Sequence, residues 1–119
     1  MKCYDADATT KAIASRLEPY AAARPHAEVD VYRFSEFSVR VRVIDPDFRG
    51  QSRTARHKAV WPLLEPLDEE QLEELGMLLL IPPEDKDRSA VNREFEAGLS
   101  AKAVACDSAP TRVVSAAQP

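Results

Sequence analysis

The chain predicts an α+β domain in the order α-β-β-α-α-β-α, a three-stranded mixed sheet with helices packed on one face. Three observations carry this. Phe37, Val39, Val41 and Val43 alternate with Ser38, Arg40 and Arg42, the period of a strand with one buried and one wet face. A second strand precedes it with so short a link that the two must be antiparallel. Roughly thirty residues of helical pattern then lead to a continuous apolar run, Met77–Ile81, the length that a right-handed parallel crossover needs.

In order, the first helix is expected over Asp5–Ala23. Asp7, Thr9 and Thr10 are candidate caps, and Ile13, Leu17 and Tyr20 fall at i, i+4 and i+7. Pro19 should kink or restart it, because proline removes a backbone bond and crowds the preceding turn. The strands follow over Glu28–Phe34 and Glu36–Ile44, joined at Ser35-Glu36, with Val29 and Val31 matching the apolar face of the second. Asp45-Pro46-Asp47 breaks the strand and Gly50 turns the chain.

Ser52 is positioned to cap the next helix, whose apolar stripe is Val60, Leu63, Leu64 and Leu67. Pro62 projects opposite that stripe, so a kink or an early end is expected there. Asp68 and Gln71 stand at capping-box spacing, opening a short helix that runs to Leu75 and stops at Gly76. Met77–Ile81, ended by Pro82-Pro83, reads as a strand covered on more than one side. Asp85–Leu99 is the last helix, with Val91, Phe95 and Leu99 on one face. Residues 1–99 thus make a single domain, and residues 100–119, rich in Ala, Ser, Thr, Val and Pro, are expected to be a disordered tail.

Composition bounds the function. A chain of 119 residues supports one core. Its formal charge of −4 opposes a general affinity for nucleic acid or anionic lipid. The charges are nevertheless segregated. Between Phe48 and Leu64 the ionisable residues are Arg49, Arg53, Arg56, His57 and Lys58; between Glu65 and Leu75 they are all acids. No apolar run spans a bilayer and no secretion signal opens the chain, so the expected location is the cytoplasm, with no membrane partner. Cys3 and Cys106 lie near opposite ends without zinc-like spacing, which fits a reducing interior.

Enzymatic constellations are missing from the sequence. No Gly-x-Ser-x-Gly occurs, and Gly50, Gly76 and Gly98 form no phosphate loop. His26, His57, Cys3 and Cys106 match no metal motif, so the expectation is a non-enzyme without cofactor. The acids from Glu69 to Glu74 read as a solvated helix face.

The basic cluster is the sharper signal, because free backbone N–H groups at a helix start already favour anions. Helical projection puts Arg53 and Arg56 on the side of Val60 and Leu64, while Lys58 points outward. Arg56 should therefore lie at the edge of the core, its head seeking an acceptor such as Asp45 or Asp47. Arg49 and Lys58 remain as exposed charges, His57 reads as partly buried and hydrogen-bonded, and Trp61 flanks the stripe as an anchor or interface residue. The candidate binding residues are Arg49, Arg53, Arg56, Lys58 and Trp61.

Phe48-Arg49-Gly50-Gln51-Ser52, followed by Arg56-His57-Lys58-Ala59-Val60, resembles the BolA family's pattern of Phe-x-Gly-x-Ser, then Arg-His, a basic residue, one further position and an aliphatic one. Trp61 and Leu64 fall where that family has an aromatic and a leucine. The element order is similar too, and is related to the type II KH architecture. The resemblance implies a small adaptor that pairs with a monothiol glutaredoxin around an iron–sulfur cluster, in iron–sulfur trafficking, iron homeostasis or transcription regulation. The sequence departs from the family at the cluster ligands. Gly76-Met77-Leu78 stands where the family has His-Ala-Leu, the loop that bears the other ligand is reduced to Ser35-Glu36, and the family's tryptophan is missing after Pro83-Glu84-Asp85-Lys86. The expectation is a BolA-like protein that binds a protein partner without ligating a cluster itself. The alternative is a KH-related nucleic-acid-binding module using Arg49, Arg53 and Lys58 with Arg40 and Arg42 from the sheet.

Overall fold

A computed structural model describes residues 2–4 and 7–106. In chain order the elements are β1 (Lys2–Tyr4), α1 (Ala8–Ala23), β2 (Glu28–Ser35), β3 (Ser38–Ile44), α2 (Arg53–Leu64), α3 (Glu69–Glu74), β4 (Leu75–Ile81) and α4 (Ala90–Cys106). From α1 onward this is the α-β-β-α-α-β-α order of an α+β domain. The sheet order is β1-β2-β3-β4, with β2 and β3 antiparallel and both outer pairs parallel. The mixed sheet of β2, β3 and β4 is therefore as expected. The short β1 adds a strand that three residues are too few to announce by periodicity. Among the described residues no helix is long and apolar enough to cross a membrane.

Local chemistry explains most boundaries. Asp7 caps α1 by accepting from the Thr10 N–H at 2.9 Å, while Thr10 Oγ1 accepts from the Asp7 N–H at 2.7 Å. Ile13, Leu17 and Tyr20 are then buried along one stripe. Pro19 does not end the helix. It is exposed, so the carbonyl its missing N–H leaves free faces water. Pro62 is likewise exposed and α2 runs through it to Leu64.

The β2–β3 register places Val29 opposite Val43 and Val31 opposite Val41. These valines meet Ile13, Leu17, Phe48, Val60 and Leu64 in the main core, so α1 and α2 cover this face. Phe37 takes no part. It sits at the tip of the hairpin turn and is 76 % exposed, because the strand begins at Ser38.

The other face corrects the expectation of a wet surface with all helices on one side. Asp30, Tyr32, Arg40 and Arg42 point there and all are buried, because α4 packs over them. Phe95 meets Tyr32 edge-on with ring centroids 5.0 Å apart, and Tyr32 Oη donates to the Phe95 carbonyl at 3.2 Å. Arg42 bonds Asp30 at 2.8 Å, Asn92 at 2.9 Å and Glu96 at 3.1 Å. Arg40 bonds Glu94 at 3.2 Å and lies 3.5 Å over the Phe34 ring. Paired in this way, the arginines escape the cost of isolated buried charge. Gly98 allows the close approach: a Cβ there would stand 2.5 Å from Tyr32 Oη.

The last helix starts later and ends later than expected. A one-turn 3-10 segment, Pro83–Asp85, intervenes, and the Ser89 hydroxyl accepts from the Asn92 N–H at 3.0 Å as α4 begins. The helix continues past Leu99 to Cys106. The remainder of the expected tail, residues 107–119, lies outside the described residues, as do the cysteine side chains.

Candidate functional site

The chain leaves β3 through Asp45, whose carboxylate accepts from the Asp47 N–H at 2.8 Å and caps the 3-10 turn Pro46–Phe48. Phe48 is buried and fixes that turn to the core. Gly50 follows with φ +77°, a left-handed conformation that suits glycine. Ser52 then caps α2, its hydroxyl accepting from the Ala55 N–H at 3.1 Å. This sequence of anchor, turn and cap sets the basic start of α2 beside the last strand.

A groove of about 710 Å³ results, lined by Arg53, Arg56 and Lys58 from α2 and by Leu78, Leu80 and Ile81 from β4. Among the described residues, Asp85 is the single acid on its walls. Its floor is a strand edge. β4 ends the sheet order and was expected to be covered on more than one side, yet Leu75 to Leu80 remain partly or wholly exposed. The Ile81 carbonyl accepts from the Asp45 N–H on the β3 side at 3.0 Å. By the alternation of a strand, the backbone of Leu80 and Leu78 turns outward.

Arg56 meets that outward edge. Its Nη1 donates to the Leu80 carbonyl at 3.1 Å, its guanidinium lies 6.0 Å from the centroid of the Phe48 ring, and its Nε is buried without a partner among the described residues. Projection correctly placed Arg56 at the edge of the core. Its acceptor is a backbone carbonyl, however, because Asp45 already takes the Tyr20 hydroxyl and lies 3.4 Å from Arg24.

Arg53 and Lys58 are exposed at the rim. Arg49 does not join them. It pairs with Glu84, with Nη2 to Oε1 at 2.8 Å, and this bond holds the Glu84 carboxyl down to about 2. His57 is exposed rather than partly buried, and its ring stacks on half-buried Trp61 at 5.2 Å. Trp61 packs against the core and acts as an anchor. Arg40 and Arg42, once candidates for the sheet side of a nucleic-acid site, are withdrawn under α4.

Among the described residues no three His, Cys, Asp or Glu side chains gather where they would hold a metal ion. Gly76 stands where the resemblance would call for a ligating histidine. A Cβ there would run into Ser38 Oγ and stand 3.3 Å from Ser38 Cβ. Gly76 has no side chain to offer an iron–sulfur cluster.

What sequence reasoning missed is the strand edge itself. An apolar run carries no mark of how many neighbours it has, and only the sheet order makes Leu78 and Leu80 part of the site. No family model, no curated protein and no solved structure matches the chain.

Proposed function

We propose that this chain is a BolA-like, non-enzymatic adaptor that docks a protein partner in the groove between α2 and β4 and does not ligate an iron–sulfur cluster itself. The observation that carries the reading is the convergence of Arg53, Arg56 and Lys58 on a strand edge that no other strand pairs among the described residues. A bare edge offers main-chain hydrogen bonds to an added strand, and cations beside it select an acidic partner surface. The partner implied by the Phe48–Val60 resemblance is a monothiol glutaredoxin, and the implied setting is iron–sulfur trafficking or iron homeostasis in the cytoplasm.

Gel filtration with a cluster-loaded monothiol glutaredoxin, followed through its visible absorption, tests both halves of the reading. Co-elution with an unchanged cluster spectrum is expected, and Arg53→Glu with Lys58→Glu should weaken binding on the order of tenfold or more. A new histidine-type spectrum would refute the claim that the adaptor leaves the cluster alone. Absence of any complex would remove the glutaredoxin.

The same cations favour one other reading, a nucleic-acid module using Arg53 and Lys58 at the start of α2. Its phosphate contacts require binding that falls steeply with salt. A titration at two ionic strengths that finds none disposes of it.

A further inference from the structure

We infer that the outer edge of β4, which no other strand pairs among the described residues, pairs antiparallel with β4 of a second copy of this chain, about a two-fold axis close to Leu78. This rests on the reading of the α2–β4 groove as a protein-docking surface, and it names an occupant.

The strand itself carries none of the usual protection. Strands at a sheet margin are ordinarily blunted by charged residues, proline or a covering element. Leu75–Ile81 reads Leu-Gly-Met-Leu-Leu-Leu-Ile, with no charge and no proline. Five of its side chains, from Leu75 and from Met77 to Leu80, are only half-buried, while those of the neighbouring β3 from Val39 to Ile44 are buried throughout. The outward Leu80 carbonyl is met by the Arg56 guanidinium. A carbonyl has two lone pairs, so that bond leaves room for an incoming N–H.

Charge identifies the occupant and its direction. β4 starts directly from α3, where Glu69, Glu70 and Glu73 are exposed, and it ends beside Arg53, Arg56 and Lys58. Along one short strand the surface passes from acidic to predominantly basic, with Asp85 as the acid that lines the basic end. Antiparallel pairing about a two-fold sets the start of each strand against the end of the other, so α3 of one copy comes to the start of α2 of the other. A two-fold axis perpendicular to the sheet keeps the α1–α2 faces of both copies on one side and the α4 faces on the other. Parallel pairing would instead bring acid to acid and base to base. The segregation of charge between residues 48–64 and 65–75 is thus the pattern that a self-complementary edge needs.

The test is the mass of the full chain in solution. Sedimentation equilibrium should give twice 13.2 kDa at high concentration, with dissociation promoted by added salt. Leu78→Pro removes an outward N–H, which an edge strand tolerates, and should give a monomer with an unchanged circular dichroism spectrum. Should that variant unfold, the charge reversals decide, because they lie on exposed positions. Arg53→Glu with Lys58→Glu, or Glu70→Lys with Glu73→Lys, should each weaken the dimer on the order of tenfold or more, and combining all four should restore it.

A chain that stays monomeric at every concentration overturns the inference. So does a dimer indifferent to the charge reversals and their combination. A monomer that still binds glutaredoxin through Arg53 and Lys58 would leave the docking reading standing without the second copy. A monomer that binds neither would end both.

Discussion

Arg42→Met is the most informative perturbation of the fold. Arg42 is 4 % exposed and makes four hydrogen bonds, two to Asp30, one to Asn92 and one to Glu96. Methionine fills much of the stem volume but supplies none of those donors. Asp30, 5 % exposed, would lose the cation that it bonds. Removing one partner of a buried pair costs about 3–5 kcal/mol, because the other charge stays buried and uncompensated. That is a large share of the about 5–15 kcal/mol that holds a domain of this kind together. Urea denaturation followed by far-UV circular dichroism measures it, with an unchanged m-value as the sign that stability alone has moved. Asp30→Leu combined with Arg42→Met removes both charges and should recover most of the loss. A single variant that loses less than about 1 kcal/mol, the range of exposed pairs, would refute the reasoning. So would a double variant no more stable than the single.

Three further outcomes are expected. Burial and then the Asp45 carboxylate push the Tyr20 hydroxyl well above the ordinary tyrosine value of 10.0, so the folded state keeps a proton that the unfolded chain loses. Stability should therefore fall as pH rises above 10, and Tyr20→Phe should flatten that limb of a melting-temperature profile while costing about 1.5–3 kcal/mol at neutral pH. At the acid end, the Arg49 bond lowers the Glu84 carboxyl from 4.5 to about 2. Its contribution is present above about pH 4.5 and fades as pH falls toward 2, so Glu84→Gln should shallow the acid limb of the same profile. Gly98→Ala places a Cβ 2.5 Å from the hydroxyl of fully buried Tyr32. The about 1 kcal/mol of helix propensity gained is outweighed by overpacking of about 1–3 kcal/mol; thermal unfolding should show a loss that Tyr32→Phe partly relieves.

The elements were legible wherever their cause is local. The alternation through Val39–Val43, the Ser52 cap and the Asp68–Gln71 capping pair each depend on residues a few positions apart, and each is found in the fold. The layer that covers the arginine face was not. Arginine in alternating positions reads as solvent-facing, and its partners Asn92, Glu94 and Glu96 arrive from a helix some fifty positions later. Asn92 and Glu96 lie one turn apart beside Phe95, with Glu94 on its other flank, a signal that acquires meaning only once the sheet beneath is known. The candidate site divides in the same way. Helical projection located Arg56, but not the Leu80 carbonyl that it bonds, since the adjacency of α2 and β4 across twenty-four positions is a property of topology. Arg49 was legible as exposed, whereas Glu84 across from it was not.

The two layers over the sheet constrain substitution differently. Valines under α1 and α2 are joined by contacts that depend on volume more than on direction, so compensating size changes can be absorbed there. Beneath α4, Arg40 and Arg42 meet Glu94, Asn92 and Glu96 through bonds with fixed donors and acceptors. Sliding α4 by a single turn would part every one of those partners at once. The helix therefore has one seat on the sheet, and sequence change on that face must come in matched pairs, whereas the opposite face can drift one methyl group at a time.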